Sequence, residues 1–229
     1  MLQNTITDVF FDLDHTLWDF DKNSEMAFDR IFKDKYPHIK TTDFIEKYAP
    51  INQACWKLYQ NDTITHQELR YNRLRFSFDA LNIDISDDEI SEIAVDYIEF
   101  LTDNNHLFDG AIEVLEYLKS KYKLHIITNG FAGVQDKKIN NALLSGYFTT
   151  ITNSELAGVK KPNSIIFDYA INIAKASKAN SIMIGDCLDA DINGALNAGL
   201  DAIFFNEKKI ETPENIKQIN HLLELKKYL

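Results

Sequence analysis

The sequence predicts an α/β fold, a parallel sheet covered by helices on both faces, with an α-helical segment inserted after the first strand. Three observations carry this. After about residue 105, short apolar runs alternate with amphipathic stretches, the rhythm of parallel strands joined by helical crossovers. Each apolar run ends in polar residues or glycine: Asp12 after Val9-Phe10-Phe11, Thr128-Asn129-Gly130 after Leu124 to Ile127, and Gly185-Asp186 after Ser181 to Ile184. From about Leu17 to Asn104 the strand pattern disappears, and helix-start signals take its place.

Taken in order, Val9-Phe10-Phe11 is the first strand. The insert then reads as helices from roughly Ser24 to Lys35, Thr42 to Asn61, Thr65 to Leu81 and Ser86 to Thr102. The third and fourth open on capping boxes, Thr65-His66-Gln67-Glu68 and Ser86-Asp87-Asp88-Glu89, in which a hydroxyl and a carboxylate satisfy free backbone N–H groups. Pro50, lacking an N–H, is expected to kink or split the second helix. Hinges are expected at residues 17–22 and 104–109. Beyond them come a helix at Ala111 to Leu118, a strand at Leu124 to Ile127, a helix at Ile165 to Ala174, and strands at Ser181 to Ile184 and Ala202 to Phe205. The expected organisation is a core of residues 1–16 and 105–229 with a helical domain at 17–104.

At 229 residues the chain is long enough for one core plus a smaller inserted domain. Hydrophobic residues make up 45% and charged residues 26%, as in ordinary soluble proteins. No apolar stretch spans a bilayer and no basic-then-apolar leader is visible, so a cytoplasmic protein without a membrane partner is expected. The net charge of −11 argues against a polynucleotide groove, which needs a basic stripe where none is visible, so no nucleic-acid partner is expected. Cys55 and Cys187 fit no metal or redox spacing, and the histidines show no paired zinc spacing. A monomer and a homodimer are both compatible with the sequence.

The chemistry concentrates at the strand ends, where open α/β sheets bind ligands. Asp12 and Asp14, in Asp12-x-Asp14-x-Thr16, place a nucleophile and an acid/base together. A carboxylate with the ordinary pKa of about 4 is already ionised at neutral pH, and a second one nearby tends to hold its proton longer. Thr128, with the N–H groups of Asn129 and Gly130, is suited to holding phosphate oxygens, although Thr-Asn-Gly is also a common turn. Lys161, just before Pro162, is placed to neutralise charge on a transferring phosphoryl group; a solvated surface lysine is the plainer alternative. Asp186, Asp189 and Asp191 are more acids than one helix cap requires. With Asp12 they offer oxygen ligands alone, which selects Mg²⁺.

The order Asp12-x-Asp14-x-Thr16, Thr128, Lys161-Pro162 and Gly185-Asp186 with Asp191 resembles the four-motif signature of the haloacid dehalogenase (HAD) superfamily of phosphohydrolases. The resemblance implies a Rossmann-like core, the HAD fold, with the insert as a C1-type α-helical cap. It further implies that Asp12 forms an aspartyl-phosphate and Asp14 is the general acid/base. Thr128 and Lys161 would bind phosphate, Asp186 would ligate Mg²⁺ together with Asp12 and the backbone carbonyl of Asp14, and Asp191 would support the ion through water.

Segments around Ile51 to Asn61, Ile64-Thr65, Ile126 to Phe131 and Lys161 to Ala170 are similar to the YjjG-type pyrimidine 5'-nucleotidases. This narrower resemblance implies a nucleoside monophosphate as substrate. Trp56 and Tyr59, with Asn52 and Gln53 nearby and Phe131 beside the phosphate loop, are candidates for contacting a pyrimidine ring; packing of the helical bundle explains Trp56 and Tyr59 equally well. A phosphatase acting on a small sugar phosphate or phosphoglycolate is the alternative. A 2-haloacid dehalogenase needs neither Asp14 nor the magnesium acids, and a non-catalytic binding module would not need every reactive position filled.

Overall fold

The computed structural model describes residues 6–229, so the first five residues of the expected 1–16 segment lie outside the described residues. Two compact units are found, one formed by the residues up to Asp19 together with His106–Leu229, the other by Phe20–Asn105. In chain order β1 (Asp8–Phe11) precedes the four helices of the second unit, α1 (Phe20–Lys35), α2 (Thr41–Gln60), α3 (His66–Ala80) and α4 (Asp87–Asp103). The first unit resumes with α5 (Ala111–Lys119), β2 (Lys123–Thr128), α6 (Ala132–Asn141), β3 (Thr150–Asn153), α7 (Ser154–Ala157) and α8 (Ser164–Ala174). It ends with β4 (Ser181–Gly185), α9 (Gly194–Ala198), β5 (Asp201–Phe205) and β6 (Gln218–Ile219). Residues 17–19 lie with the first unit and not with the insert, because Trp18 bridges to both Asp14 and Leu107.

All six strands are parallel, in the order β3-β2-β1-β4-β5-β6. Phe11 is in register with Ile126 on one side and Ile184 on the other. The ladder runs one residue further, Asp12 N–H donating to the Ile184 carbonyl at 2.9 Å. From β1 the chain builds outward to β2 and β3, then crosses back to build β4, β5 and β6 on the opposite side. The β1/β4 boundary is therefore the point where strand order reverses, and in open α/β sheets ligands bind beyond the carboxyl ends of the strands at such a point.

Strand residues are buried on both faces, which is why they read as continuous apolar runs. Phe10, Ile127, Met183 and Phe204 share one face with Ile166, Phe167 and Ala170 of α8 and with Ala195 of α9. Alternation sends Phe11, Ile126, Ile184 and Ile203 to the other face, all with no exposed surface. His125, also fully buried, stacks on Phe10 and bonds Asp8 at 3.1 Å and Thr150 at 2.8 Å, so its ring nitrogens are both satisfied inside the sheet. The strands β3 and β6 carry no apolar run: in Thr150–Asn153 only Ile151 is apolar, and β6 has two residues.

The helical unit is held by rings. Phe28 lies 4.7 Å from Phe44, 4.7 Å from Tyr48 and 4.4 Å from Tyr97, while Phe78 packs on Phe44 at 5.0 Å. Both capping boxes form, with Thr65 and Ser86 accepting from the Glu68 and Glu89 N–H groups while the two carboxylates reach back to the cap N–H. Pro50 does not split α2, which runs unbroken through it over 20 residues.

Candidate active site

Asp12 leaves the end of β1 and Asp186 leaves the end of β4, so neighbouring strands bring the two side by side. Asp191 follows Asp186 on a π-helical turn, Leu188–Asn193. Oxygens of Asp12, Asp186 and Asp191 all lie within 4.8 Å of one another. Gly185 makes room for this: a Cβ there would sit 2.3 Å from Asp191 Oδ2. Thr16 donates its hydroxyl to Asp186 Oδ1 at 3.0 Å, and the Cys187 N–H donates to Asp191 Oδ2 at 3.0 Å. Asp189 is exposed and is not one of the three.

Lys161 is no surface lysine. It is 2% exposed, and its three ammonium protons meet three acceptors, Asp12 Oδ1 at 2.7 Å, Asp191 Oδ1 at 2.6 Å and the Ile127 carbonyl at 2.7 Å. Burial alone would lower its pKa, but the carboxylates of Asp12 and Asp191 outweigh burial and hold it above the usual lysine value. The Lys161-Pro162 peptide is cis. Asn129 fixes the backbone here, its side chain accepting from Lys161 N–H at 2.8 Å and donating to Lys161 O at 2.9 Å.

Asp12 and Asp186 do not carry ordinary proton affinities. Burial pushes Asp12 up to about 7, with Lys161 opposing and Asp191 adding. Burial likewise raises Asp186 well above the carboxylate range, reinforced by Asp191 and Asp12. The expectation of an ordinary nucleophile with a pKa near 4 is therefore corrected for the protein groups by themselves. Three carboxylates face one ammonium, and that negative excess in a desolvated site favours protons or a cation. Cys187, pushed up to about 12 by burial, is a poor nucleophile.

Asp14 is not one of these three acids. Its partner is a cation: Lys138 Nζ lies 2.6 Å from Oδ1, and Gln135 Nε2 donates to Oδ2 at 2.9 Å. The turn that presents Asp14 passes through His15 in the left-handed region, φ +61°, a conformation uncommon for a non-glycine residue. Thr128 lies at the end of β2, its oxygen accepting from Gly130 N–H at 3.1 Å and from Gln135 Nε2 at 2.8 Å. The Gly130 N–H is thus turned onto Thr128, where an open phosphate donor was expected. With two bonds accepted, the Thr128 hydroxyl still has its own proton to donate.

Phe131 follows this loop, half-buried. Trp56 and Tyr59 belong to the helical unit and pack edge to face at 5.7 Å, both half-buried. Asn52, expected to offer an amide to a base, is buried and already accepts from Arg73 at 3.3 Å and Tyr48 at 3.4 Å. Gln135, Lys138 and the bond from Thr16 were not singled out from the sequence. Their one signal was the i, i+3 spacing of Gln135 and Lys138 just after Thr-Asn-Gly, and spacing alone does not tell an inward face from a solvated one.

The model of the haloacid dehalogenase-like hydrolases matches residues 8–199, and the chain belongs to that family of enzymes. It is 34% identical to the pyrimidine 5'-nucleotidase YjjG of Escherichia coli (strain K12), over 91% of this chain and 89% of that one. It is 32% identical to the pyrimidine 5'-nucleotidase PynA of Streptococcus pneumoniae (strain ATCC BAA-255 / R6), over 89% and 85%. Among solved structures, the magnesium-bound putative HAD-hydrolase YfnB of Bacillus subtilis superposes with a TM-score of 0.88 at 29% identity, covering 99% of each chain. Among the described residues no helix is long and apolar enough to cross a membrane.

Proposed function

We propose that the protein is a Mg²⁺-dependent phosphatase that hydrolyses nucleoside 5'-monophosphates, pyrimidine ones by preference, through an aspartyl-phosphate on Asp12. The observation that carries the reading is the Lys161 ammonium bound between Asp12 and Asp191 beside Asp186, at the reversal point of the sheet. Three oxygen-only donors in negative excess, Asp12 and Asp191 buried and Asp186 half-buried, fit a hard divalent cation. Asp12 and Asp186, with the carbonyl of Asp14, would hold Mg²⁺, with Asp191 in support. When bound, the ion supplies the positive charge that lets a phosphate dianion approach a carboxylate nucleophile.

The protein's own groups then divide the work. Lys161 and the Thr128 hydroxyl hold the phosphate oxygens. Asp12 attacks phosphorus in line while Asp14 gives its proton to the departing 5'-oxygen. Asp14 next takes a proton from water, which hydrolyses the acyl phosphate and frees Asp12. The two relatives named as pyrimidine 5'-nucleotidases support the substrate class, and Trp56, Tyr59 and Phe131 are our candidates for contacting the base. We assign the helical unit as a C1-type cap and the cytoplasm as the compartment, for a monomer or homodimer acting on a small phosphate monoester.

The test is phosphate release from UMP, dTMP, glycolate phosphate and hexose phosphates, with and without a chelator. The expected outcome is chelator-sensitive turnover highest on the pyrimidine nucleotides. Highest turnover on glycolate or hexose phosphates would overturn the substrate class, and turnover indifferent to chelator would overturn the metal.

A further inference from the structure

Polar side chains that a helix buries against a sheet are costly unless they are bonded. On α6, Gln135 and Lys138 stand one turn apart on the same face, 1% and 2% exposed, where an apolar pair would pack at no such cost. Between them they occupy both oxygens of Asp14, Lys138 on Oδ1 at 2.6 Å and Gln135 on Oδ2 at 2.9 Å. Lys138 Nζ also lies 4.3 Å from the centre of the Trp18 ring, which fixes it from a second side.

Gln135 does more than hold one residue. Its amide nitrogen has two protons; one goes to Asp14 and the other to Thr128 Oγ1 at 2.8 Å. An amide donor on the Thr128 oxygen, together with the Gly130 N–H, leaves the hydroxyl proton to point elsewhere. Gly130 has no Cβ, and one there would collide with Gln135 at 2.4 Å. The Gln135 carbonyl oxygen is buried with no partner, and rotating the amide to satisfy it would set oxygen against the Asp14 carboxylate. The orientation is held by what Nε2 bonds.

We propose that Gln135 and Lys138 are positioning residues: they fix the Asp14 carboxylate and the Thr128 hydroxyl in one rigid unit, so that proton transfer to the leaving group and grip on the phosphate are set together. This rests on the phosphatase reading and extends it to two residues on α6. The role is orientation of Asp14, and it matters in proportion to the leaving group's need for a proton.

The experiment compares kcat/KM for UMP and for p-nitrophenyl phosphate in the full-length protein with Mg²⁺. The two esters share the attack of Asp12, but p-nitrophenolate departs as a stable anion without a proton. Lys138→Met is expected to lower kcat/KM for UMP by about 10²-fold with a loss under about 5-fold for p-nitrophenyl phosphate, whereas Gln135→Leu, which also frees Thr128, should add a loss common to both esters and keep the larger loss on UMP. Lys138→Arg should restore part of the UMP activity. Adding Lys138→Met to Asp14→Asn should cost nothing further on UMP, since the clamp would have nothing left to hold.

Equal losses on both esters, or a full further loss in the double variant, would overturn the inference. Should Lys138→Met fail to fold, Gln135→Met reads the same ratio between the two esters, and an unchanged ratio there counts against it. An unaltered protein that releases phosphate from neither ester defeats the phosphatase reading itself; turnover that needs Asp12 but shows no ester-selective loss defeats this inference alone.

Discussion

The ammonium of Lys161 lies 2.6 Å from Asp191 Oδ1, and the other oxygen of Asp191 accepts the Cys187 N–H at 3.0 Å. That single carboxylate therefore ties the chain ahead of α8 to the turn after β4, while Lys161 reaches on to Asp12 at the end of β1. Three strand ends are pinned by one buried cation, since its third proton binds the Ile127 carbonyl of β2. Lys161→Met would leave Asp12 and Asp191 facing each other with no counter-charge. Breaking a buried pair in this way costs about 3–5 kcal/mol. Urea unfolding of the variant at neutral pH should show that loss, and an unchanged midpoint would show that Lys161 holds nothing together.

Asp12→Asn should abolish turnover, because an amide is not a nucleophile toward phosphorus, and Asp14→Asn should slow it by about 10²-fold or more on a nucleotide. Steady-state phosphate release by protein verified as undeamidated checks both. Near-normal turnover by Asp12→Asn would refute the assignment of the nucleophile.

Gly185→Ala places a methyl carbon 2.3 Å from Asp191 Oδ2 and 2.4 Å from its carboxyl carbon. Asp191 is 1% exposed and bonded at both oxygens, so it has little room to retreat. Overpacking of this kind costs about 1–3 kcal/mol. The variant should also need more Mg²⁺ for half-maximal activity, since the carboxylate that supports the ion is displaced. A metal titration matching that of the unaltered protein would show that Asp191 can move without consequence.

What the sequence disclosed and what it hid follow from one physical distinction. Fully buried parallel strands are apolar throughout, so β1, β2, β4 and β5 stand out, and a residue at a strand's carboxyl end has its direction fixed by the sheet. Asp12, Thr128 and Asp186 could be placed together for that reason. Helix faces give no such guarantee: Gln135 and Lys138 have the polarity of a solvated stripe and are buried all the same. Arg73, 3% exposed, is hidden likewise among the rings of the helical unit. Strand β3 was obscured by the polar side chains of Thr150, Thr152 and Asn153, and β6 by its two-residue length. The proton affinity of Asp12 was misjudged because it depends on burial, which composition does not encode.

Arg73 offers a test of stability within the helical unit. Its guanidinium stacks 4.9 Å from the Tyr97 ring and donates to Asn52 at 3.3 Å, but among the described residues it forms no ion pair with a carboxylate. Taking a charge out of water without a counter-ion is expensive, and an apolar residue of similar volume is often neutral or stabilising at such a site. Arg73→Met should leave the unfolding free energy within about 1 kcal/mol of the original or raise it. A loss above about 3 kcal/mol would mean that the Asn52 and Tyr97 contacts stabilise the charge far more than their geometry suggests.

The raised carboxyls predict a coupling between pH and metal. Asp12 keeps its proton up to about 7 in the folded protein, against about 4 in an unfolded chain. Between those values the folded state binds more protons, so its stability falls as pH rises through that window. Asp186, shifted in the same direction by burial, adds to the fall. A divalent ion that binds only the folded, ionised site should offset it, and should do so more strongly where the acids have lost their protons. Chelated protein should therefore show a lower Tm at about pH 8 than at about pH 5, and excess Mg²⁺ should raise the Tm more at the higher pH. Equal gains at both would mean that the ion does not bind through Asp12 and Asp186, and the site would have to be sought elsewhere.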